Sequence, residues 1–319
     1  VAGGVFTASD VGKKIRVPGA GVAGGLLSTT IATYVSGTQV TVSDAAGTTL
    51  AADSKPIVYG YDDTAAIQAT MTASQVSRFP CGTYFVTSTL TLPANKAMEG
   101  STDGCVILAR TDAYEHTVTA GVAGVGGAGT VSVTGIWFLT PQYFTYGTTT
   151  TLPFAAASAT AAHLALYGAD GATVTNNRFW YNPNGVSMYG GTQSTISNNY
   201  FTGVWDTTNA NTQEGISGIT MKKDGSNTVK SVVVSGNKAF GGPSSSVESI
   251  NYTTATCGTV AKSLNRNIGT KYGILATDGE DVYVKDNYFG GNSFNAILLS
   301  VENVMQEWKI KSNFFDSSQ

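Results

Sequence analysis

Short stretches in which apolar and polar residues alternate recur along the chain, and each ends in an asparagine followed within one to three residues by phenylalanine. The corners read Asn176-Asn177-Arg178-Phe179, Asn198-Asn199-Tyr200-Phe201, Asn237-Lys238-Ala239-Phe240, Asp286-Asn287-Tyr288-Phe289 and Asn313-Phe314-Phe315. They follow Ala172–Thr175, Ser194–Ser197, Ser231–Ser235, Asp281–Lys285 and Glu307–Lys311. Period-two alternation marks strands with one buried face. From Asn177 the next corner asparagines come 22, 38, 50 and 26 residues on, so the short intervals give the bare repeat and the long ones carry insertions. At about 3.3 Å per residue the bare repeat is a coil of roughly 75 Å contour, enough for three short strands and their turns. The repeat therefore predicts a solenoid of stacked rungs. Asparagine suits its corner because it tolerates the left-handed conformation, and its amide can bond the equivalent amide about 4.8 Å away. The phenylalanine should point back into the core.

Upstream, Val131–Phe138 alternates into Gly135-Ile136-Trp137-Phe138, an earlier rung in which Gly replaces the corner Asn. Insertions are expected near 139–160, 202–216 and 241–271. Residues 1–58 hold two alternating stretches, Lys14–Val17 and Gln39–Ser43, between Gly-rich loops, and read as a small β module. Residues 59–319 form the solenoid domain. Near 62–74 an aspartate can cap a helix whose Ala66, Ile67, Ala69 and Met71 leave one side for packing. Such a helix would cover the open end of the coil, where strand edges and core otherwise invite aggregation.

Charged residues are 12% of the chain, about half the usual share, so its exterior is polar but largely uncharged. A net charge of −3 with no run of Lys or Arg beyond the pairs Lys13-Lys14 and Lys222-Lys223 excludes nucleic acid as a partner. No stretch approaches the roughly 18 apolar residues of a membrane span, so no membrane insertion is expected. The start at Val1 and the stop at Gln319 within a repeat suggest a portion of a longer product. Cys81, Cys105 and Cys257 lack metal spacing and read as small buried hydrophobes, although Cys81 and Cys105 lie about one rung apart and could meet. The run Gly124–Gly129 matches a dinucleotide-type glycine pattern but leads into a strand rather than a helix, which argues against a cofactor.

Asp62-Asp63-Thr64-Ala65-Ala66-Ile67-Gln68, with Phe79-Pro80-Cys81-Gly82-Thr83-Tyr84-Phe85-Val86 and Leu90-Thr91-Leu92-Pro93, resembles the start of pectate-lyase-superfamily β-helices as they occur in bacteriophage tailspikes. The earlier Phe6–Lys13 and Val17–Gly21 resemble the small module that often precedes them in phage tail proteins. The matching runs span residues 6 to 93. The resemblance implies an all-β fold, a single-stranded right-handed parallel β-helix, and a homotrimeric tailspike or tail-fibre on the virion that meets a bacterial surface polysaccharide. These motifs mark fold and lineage and are not catalytic.

Fold alone does not give function. The calcium site and arginine base of pectate lyases, the Gly-His-Gly constellation of polygalacturonases and the epimerase Pro-His-Glu motif are not recognisable. No metal or cofactor is expected, and His116 and His163, outside any metal spacing, read as structural. Aligned on the corner asparagines, Asp170, Lys222-Lys223-Asp224, Asp278, Glu280, Asp281 and Glu302 fall on one edge of the coil. Carboxylates on adjacent or alternate rungs would be near 5 or 10 Å apart, separations that glycosidases use, and a close like-charged pair raises one pKa as an acid catalyst requires. Asp224 with Asp278, and Glu280 in reserve, form the expected catalytic set. The insertions at 202–216 and 241–271 should wall a groove carrying Trp205, Asp206, Glu214, Glu248, Tyr252 and Arg266, aromatic faces and polar groups suited to sugars. The leading expectation is a phage protein that binds and depolymerises a surface polysaccharide, by hydrolysis or β-elimination. A secreted monomeric lyase or hydrolase, or a non-enzymatic adhesive virion segment, are the alternatives.

Overall fold

The computed structural model describes residues 6–17, 20–24, 27–50, 58–101, 105–110, 116–139, 160–180, 184–202, 204–205, 217–242, 246–251, 256–261, 267–269, 272–290, 295–300, 302–303 and 305–316. They fall into two compact units, divided between Asp63 and Thr64.

In the first unit, β1 (Lys14–Val17), β2 (Leu27–Ser36), β3 (Gln39–Val42) and β4 (Val58–Gly60) make an antiparallel sheet in the order β3-β2-β1-β4. Its core is Phe6, Ile15 and Ile31, with Val17, Val40, Val42 and Tyr59 packed against it. The buried Asp10 carboxylate accepts from the Thr7 backbone N–H at 2.7 Å and from Lys13 Nζ at 2.6 Å. Burial raises its pKa, but these hydrogen bonds outweigh burial and hold it below the ordinary carboxylate range.

The second unit is a single-stranded right-handed parallel β-helix, its handedness that of parallel crossovers in general. Each rung crosses three faces in turn. The first face stacks Val76–Phe79, Ala97–Gly100, Ser132–Thr134, Thr173–Thr175, Thr195–Ser197 and the ends of Val229–Ser235 and Gly279–Lys285, then Lys309–Lys311. The second runs from Gly82–Val86 through Val106–Arg110, Trp137–Leu139, Arg178–Trp180, Tyr200–Thr202, Lys238–Gly242 and Tyr288–Gly290 to Phe314–Asp316. The third comprises Leu90–Leu92, Val118–Ala120, Ala162–Asp170, Asn184–Thr192, Ser217–Lys222, Tyr272–Ala276 and Asn295–Leu299. Every second side chain points inward, so the core is a set of columns such as Val133, Val174, Ile196, Val234 and Val284, all fully buried.

The corner asparagines form the expected column. Asn177 Nδ2 donates to Asn199 Oδ1 at 3.1 Å, Asn199 to Asn237 at 3.0 Å, Asn237 to Asn287 at 3.0 Å and Asn287 to Asn313 at 2.9 Å. Each Oδ1 also accepts the backbone N–H of the asparagine one rung earlier. The second Nδ2 hydrogen reaches a backbone carbonyl of the previous rung, as from Asn237 to Ile196 at 2.8 Å. The left-handed residue is the one before the ladder asparagine: Asn176, Asn198, Gly236, Asp286 and Ser312 all have φ between 55° and 65°. The expectation that the ladder residue itself adopts that conformation is therefore corrected. Gly135 occupies the left-handed position of its rung, and Ile136 stands where the ladder asparagine would be, donating its N–H to Asn177 Oδ1. At Gly236 a Cβ would lie 2.4 Å from Asn198 Oδ1, so glycine serves both conformation and space.

Two residues after each ladder position lies an inner stack. Phe138, Phe179 and Phe201 are spaced 5.0 and 5.1 Å, and Phe289 and Phe315 lie 5.5 Å apart. Ala239, buried two residues after Asn237, fills the intervening place, whereas the side chain of Phe240, the aromatic of the sequence pattern, falls outside those described.

The helix α1 (Thr64–Ala73) buries Ile67 and Met71, one turn apart, while Ala66 and Ala69 are exposed, a narrower packing stripe than expected. Gln68 mimics a strand at the edge of Leu90–Leu92: its Nε2 donates to Thr91 O at 2.9 Å and its Oε1 accepts the Thr91 N–H at 2.7 Å. Lys96 Nζ caps the helix C-terminus by donating to the Met71 and Thr72 carbonyls. Cys81 and Cys105 form a disulfide between adjacent rungs, so these two are not free buried thiols.

Candidate functional site

The carboxylates expected to line one edge do not stack on one another. In register, the corner where the third face turns into the first reads Asp170, Thr192, Lys230, Glu280 and Gln306. Asp170 Oδ1 accepts from the Thr192 N–H and hydroxyl, and Glu280 is bridged to Lys230 at 2.8 Å. Asp224 stands in a turn closed by its mutual backbone pairing with Asn227. Both its oxygens accept the Gly124 N–H, at 2.8 and 2.9 Å. Asp278 is fully buried; its Oδ2 accepts the Val229 N–H at 2.7 Å, and its Oδ1 has no hydrogen-bond partner among the described residues. Asp224 and Asp278 thus secure opposite ends of one turn, through different backbone amides. The Gly124–Gly129 segment is the loop that supplies the amide for Asp224.

The groups that do converge lie on the outer side of the third face. Tyr167 and Tyr189 occupy equivalent positions on adjacent rungs, with ring centroids 4.7 Å apart and planes 9° from parallel, and Lys222 continues the row. The His116 ring meets both tyrosines edge-on, at 6.2 and 6.5 Å. Its Nδ1 accepts the Ala162 N–H at 3.1 Å, and its Nε2 lies 3.1 Å from the Tyr167 hydroxyl. A backbone N–H can only donate, so Nδ1 carries no proton and Nε2–H donates to the phenol oxygen. The Tyr167 proton is thereby left to donate elsewhere. Burial, with smaller contributions from Tyr189 and Asp224, pushes the Tyr167 pKa up to about 12. Tyr189 is raised as well, mainly by burial, so both rings remain neutral phenols at ordinary pH. All four side chains, His116, Tyr167, Tyr189 and Asp224, are partly exposed. Sequence reasoning missed this platform because its parts come from four rungs and the tyrosines sit in no repeated motif. The equal register of Tyr167 and Tyr189 ten residues before Asn177 and Asn199 was the signal that could have found them.

His163 is different in kind. It is fully buried, its Nε2 2.7 Å from the Trp180 carbonyl and its Nδ1 3.2 Å from the Thr117 hydroxyl. Burial drives its pKa down to about 3, against the opposing hydrogen bond to Trp180.

The two long insertions are joined to each other. Val204–Trp205, from the first, pairs antiparallel with Asn267–Gly269, from the second, and that strand also pairs with Gly241 and Gly242. Ser246–Asn251 and Thr256–Ala261 form a hairpin, with Glu248 opposite Thr259. Trp205 thus lies on a strand opposite Asn267, whereas Asp206, Glu214, Tyr252 and Arg266 fall outside the described residues.

No protein-family model matches this chain, and neither does any curated protein. Among solved structures it is similar to PfbA, a surface adhesin of Streptococcus pneumoniae, at 16% identity and a TM-score of 0.51 over 80% of this chain and 68% of that one. A second PfbA structure gives 14% identity and a TM-score of 0.47, covering 72% and 58%. The ORF18 protein of Geobacillus virus E2 gives 11% and 0.38, covering 80% and 58%. At these identities the first likeness is one of fold, and it agrees with the stacked parallel rungs. No helix among the described residues is long and apolar enough to cross a membrane.

Proposed function

We propose that this chain is the body of a phage tailspike or tail-fibre that binds a bacterial surface polysaccharide on the outer third face. The observation that carries the reading is the stacked pair Tyr167 and Tyr189, with His116 fixing the direction of the Tyr167 hydroxyl. Aromatic faces pack against pyranose rings, and oriented hydroxyls and a carboxylate hydrogen-bond to sugar hydroxyls. Asp224 and Lys222 supply the polar margin. The tailspike lineage is supported by the sequence resemblance over residues 6 to 93.

Cleavage is a second reading, favoured by the same hydrogen bond: a phenol whose oxygen already accepts from His116 is arranged to give its proton outward. With a pKa of about 12 Tyr167 is protonated at pH 7, roughly one ring in 10⁵ being phenolate, so the role open to it is that of a weak acid and not of a base. Asp224, Asp278 and Glu280 remain the carboxylates to examine. Asp278 would reach a substrate only if the turn bonded to it opened.

The test is an array of bacterial capsular and lipopolysaccharide glycans probed with the parent chain, Tyr189→Ala, Tyr167→Phe and Asp224→Ala, each checked for a parental circular dichroism spectrum. The expected result is a bound glycan class whose affinity falls about tenfold in Tyr189→Ala, the size of one lost aromatic contact. Full binding in folded Tyr189→Ala would overturn the assignment of the face. Release of reducing or unsaturated ends by the parent, lost in Tyr167→Phe, would establish the cleavage reading. Release retained in Tyr167→Phe and lost in Asp224→Ala would move the chemistry to the carboxylate.

A further inference from the structure

On the first face, the outward rows of the middle rungs are small and neutral: Thr173, Thr195 and Val233 in one, Thr175, Ser197 and Ser235 in the next. Over the following two rungs these rows become Tyr283 then Lys309, and Lys285 then Lys311. The chain has few charges, yet here three lysines from two strands surround one tyrosine. Register brings them together; the sequence separates Lys285 from Lys309 and Lys311 by a whole rung.

The lysines are not equivalent. Lys309 lies 4.0 Å from Asp281, and the neighbouring Lys230 is held by Glu280. Lys285 and Lys311 make no ion pair among the described residues; their ammonium groups lie 5.4 and 5.9 Å from the centre of the Tyr283 ring. They are also direct ladder neighbours, and adjacent parallel strands are about 4.8 Å apart. Like charges on directly opposed ladder positions repel, and a ring quadrupole compensates each by only a modest amount at an exposed site. An anion set between them would relieve the repulsion and gain two charge-assisted hydrogen bonds.

We propose that Tyr283, Lys285 and Lys311 form a subsite for an anionic sugar residue, the two ammonium groups holding its acidic substituent beside the tyrosine ring. The proposal rests on the polysaccharide-binding reading above and narrows its ligand to an acidic glycan. The acidic group can be a carboxylate or a sulfate ester, which share this chemistry.

Binding of the full chain to oligogalacturonate, dextran sulfate and neutral dextran distinguishes these sources. The variants are Lys285→Gln with Lys311→Gln, which keeps much of the side-chain length, and a charge-matched control, Lys14→Gln with Lys223→Gln, neither of which belongs to the first face. At 50 mM salt the subsite pair should lose about tenfold affinity for oligogalacturonate, dextran sulfate or both, as two exposed charge contacts of ordinary strength predict. The control should stay within about twofold. Preference for oligogalacturonate identifies a uronate, and preference for dextran sulfate a sulfated sugar. Equal losses in both double variants, or none in either, would overturn the subsite. If Tyr189→Ala weakens glycan binding while the subsite pair does not, the subsite falls and the third-face reading stands; if the parent binds no glycan of the array or these probes, both fall.

Discussion

His163 and His116 carry the same side chain into opposite conditions. His163 is sealed between Thr117 and the Trp180 carbonyl, and its folded pKa of about 3 lies below the ordinary 6.5. The unfolded chain therefore takes up a proton that the native ring refuses. This contribution to stability is whole above pH 6.5 and is lost as pH falls towards 3, at about 1.4 kcal/mol per pH unit. Urea midpoints at pH 7, 5.5 and 4 should fall in the parent and fall less in His163→Gln, which retains hydrogen-bonding capacity; equal slopes would show that another group carries the acid sensitivity. A structural role for His163 was legible from its lack of metal spacing. The place of His116 was not, because Tyr167 and Ala162, which fix its two nitrogens, lie 51 and 46 residues away.

Between rungs, the unit that repeats is a donor pair and the oxygen that receives it. Asn237 Oδ1 takes the N–H and an Nδ2 hydrogen from Asn199, while Asn237 donates in the same way to Asn287. Asn237→Ala leaves two donors of Asn199 without their acceptor in a buried place, each costing about 1–3 kcal/mol. The variant should lose roughly 3 kcal/mol or more in chemical denaturation, and Asn237→Asp should also be destabilised because its second oxygen would face the Asn287 Oδ1. A loss under about 1 kcal/mol in both would show that the ladder is dispensable. The asparagine column was readable because one residue type recurs in register with an alternating strand. The inner stack was only partly so: Phe240 in the sequence pattern drew attention from Ala239, whose inward place is fixed by counting from the ladder.

For the whole chain, alternation among neighbouring residues was enough to predict a small sheet module and a helix, and the recurrence of one corner at rung-length intervals was enough to predict the coil. The candidate site was harder to read, because the turn at Asp224 and the tyrosine row depend on which residues meet across rungs. The acids shared a sequence edge, but Lys230 stands beside Glu280 and Thr192 beside Asp170. A homotrimer remains our proposal from the tailspike resemblance, and three copies of the 33.0 kDa chain should appear in native mass spectrometry at about three times that mass. A monomer for this chain at micromolar concentration would count against subunit-shared sites and favour the single-chain platform of Tyr167 and Tyr189.

The amide column also has a direction. From Asn177 to Asn287, each ladder asparagine gives its backbone N–H and one Nδ2 hydrogen to the rung that comes later in the chain and turns its oxygen toward the earlier one. Each rung therefore presents two aligned hydrogens to the next, and a side chain with a single oxygen set between them, as asparagine has, is what fits. The polarity of the column thus runs the same way as the chain itself, from N-terminus to C-terminus.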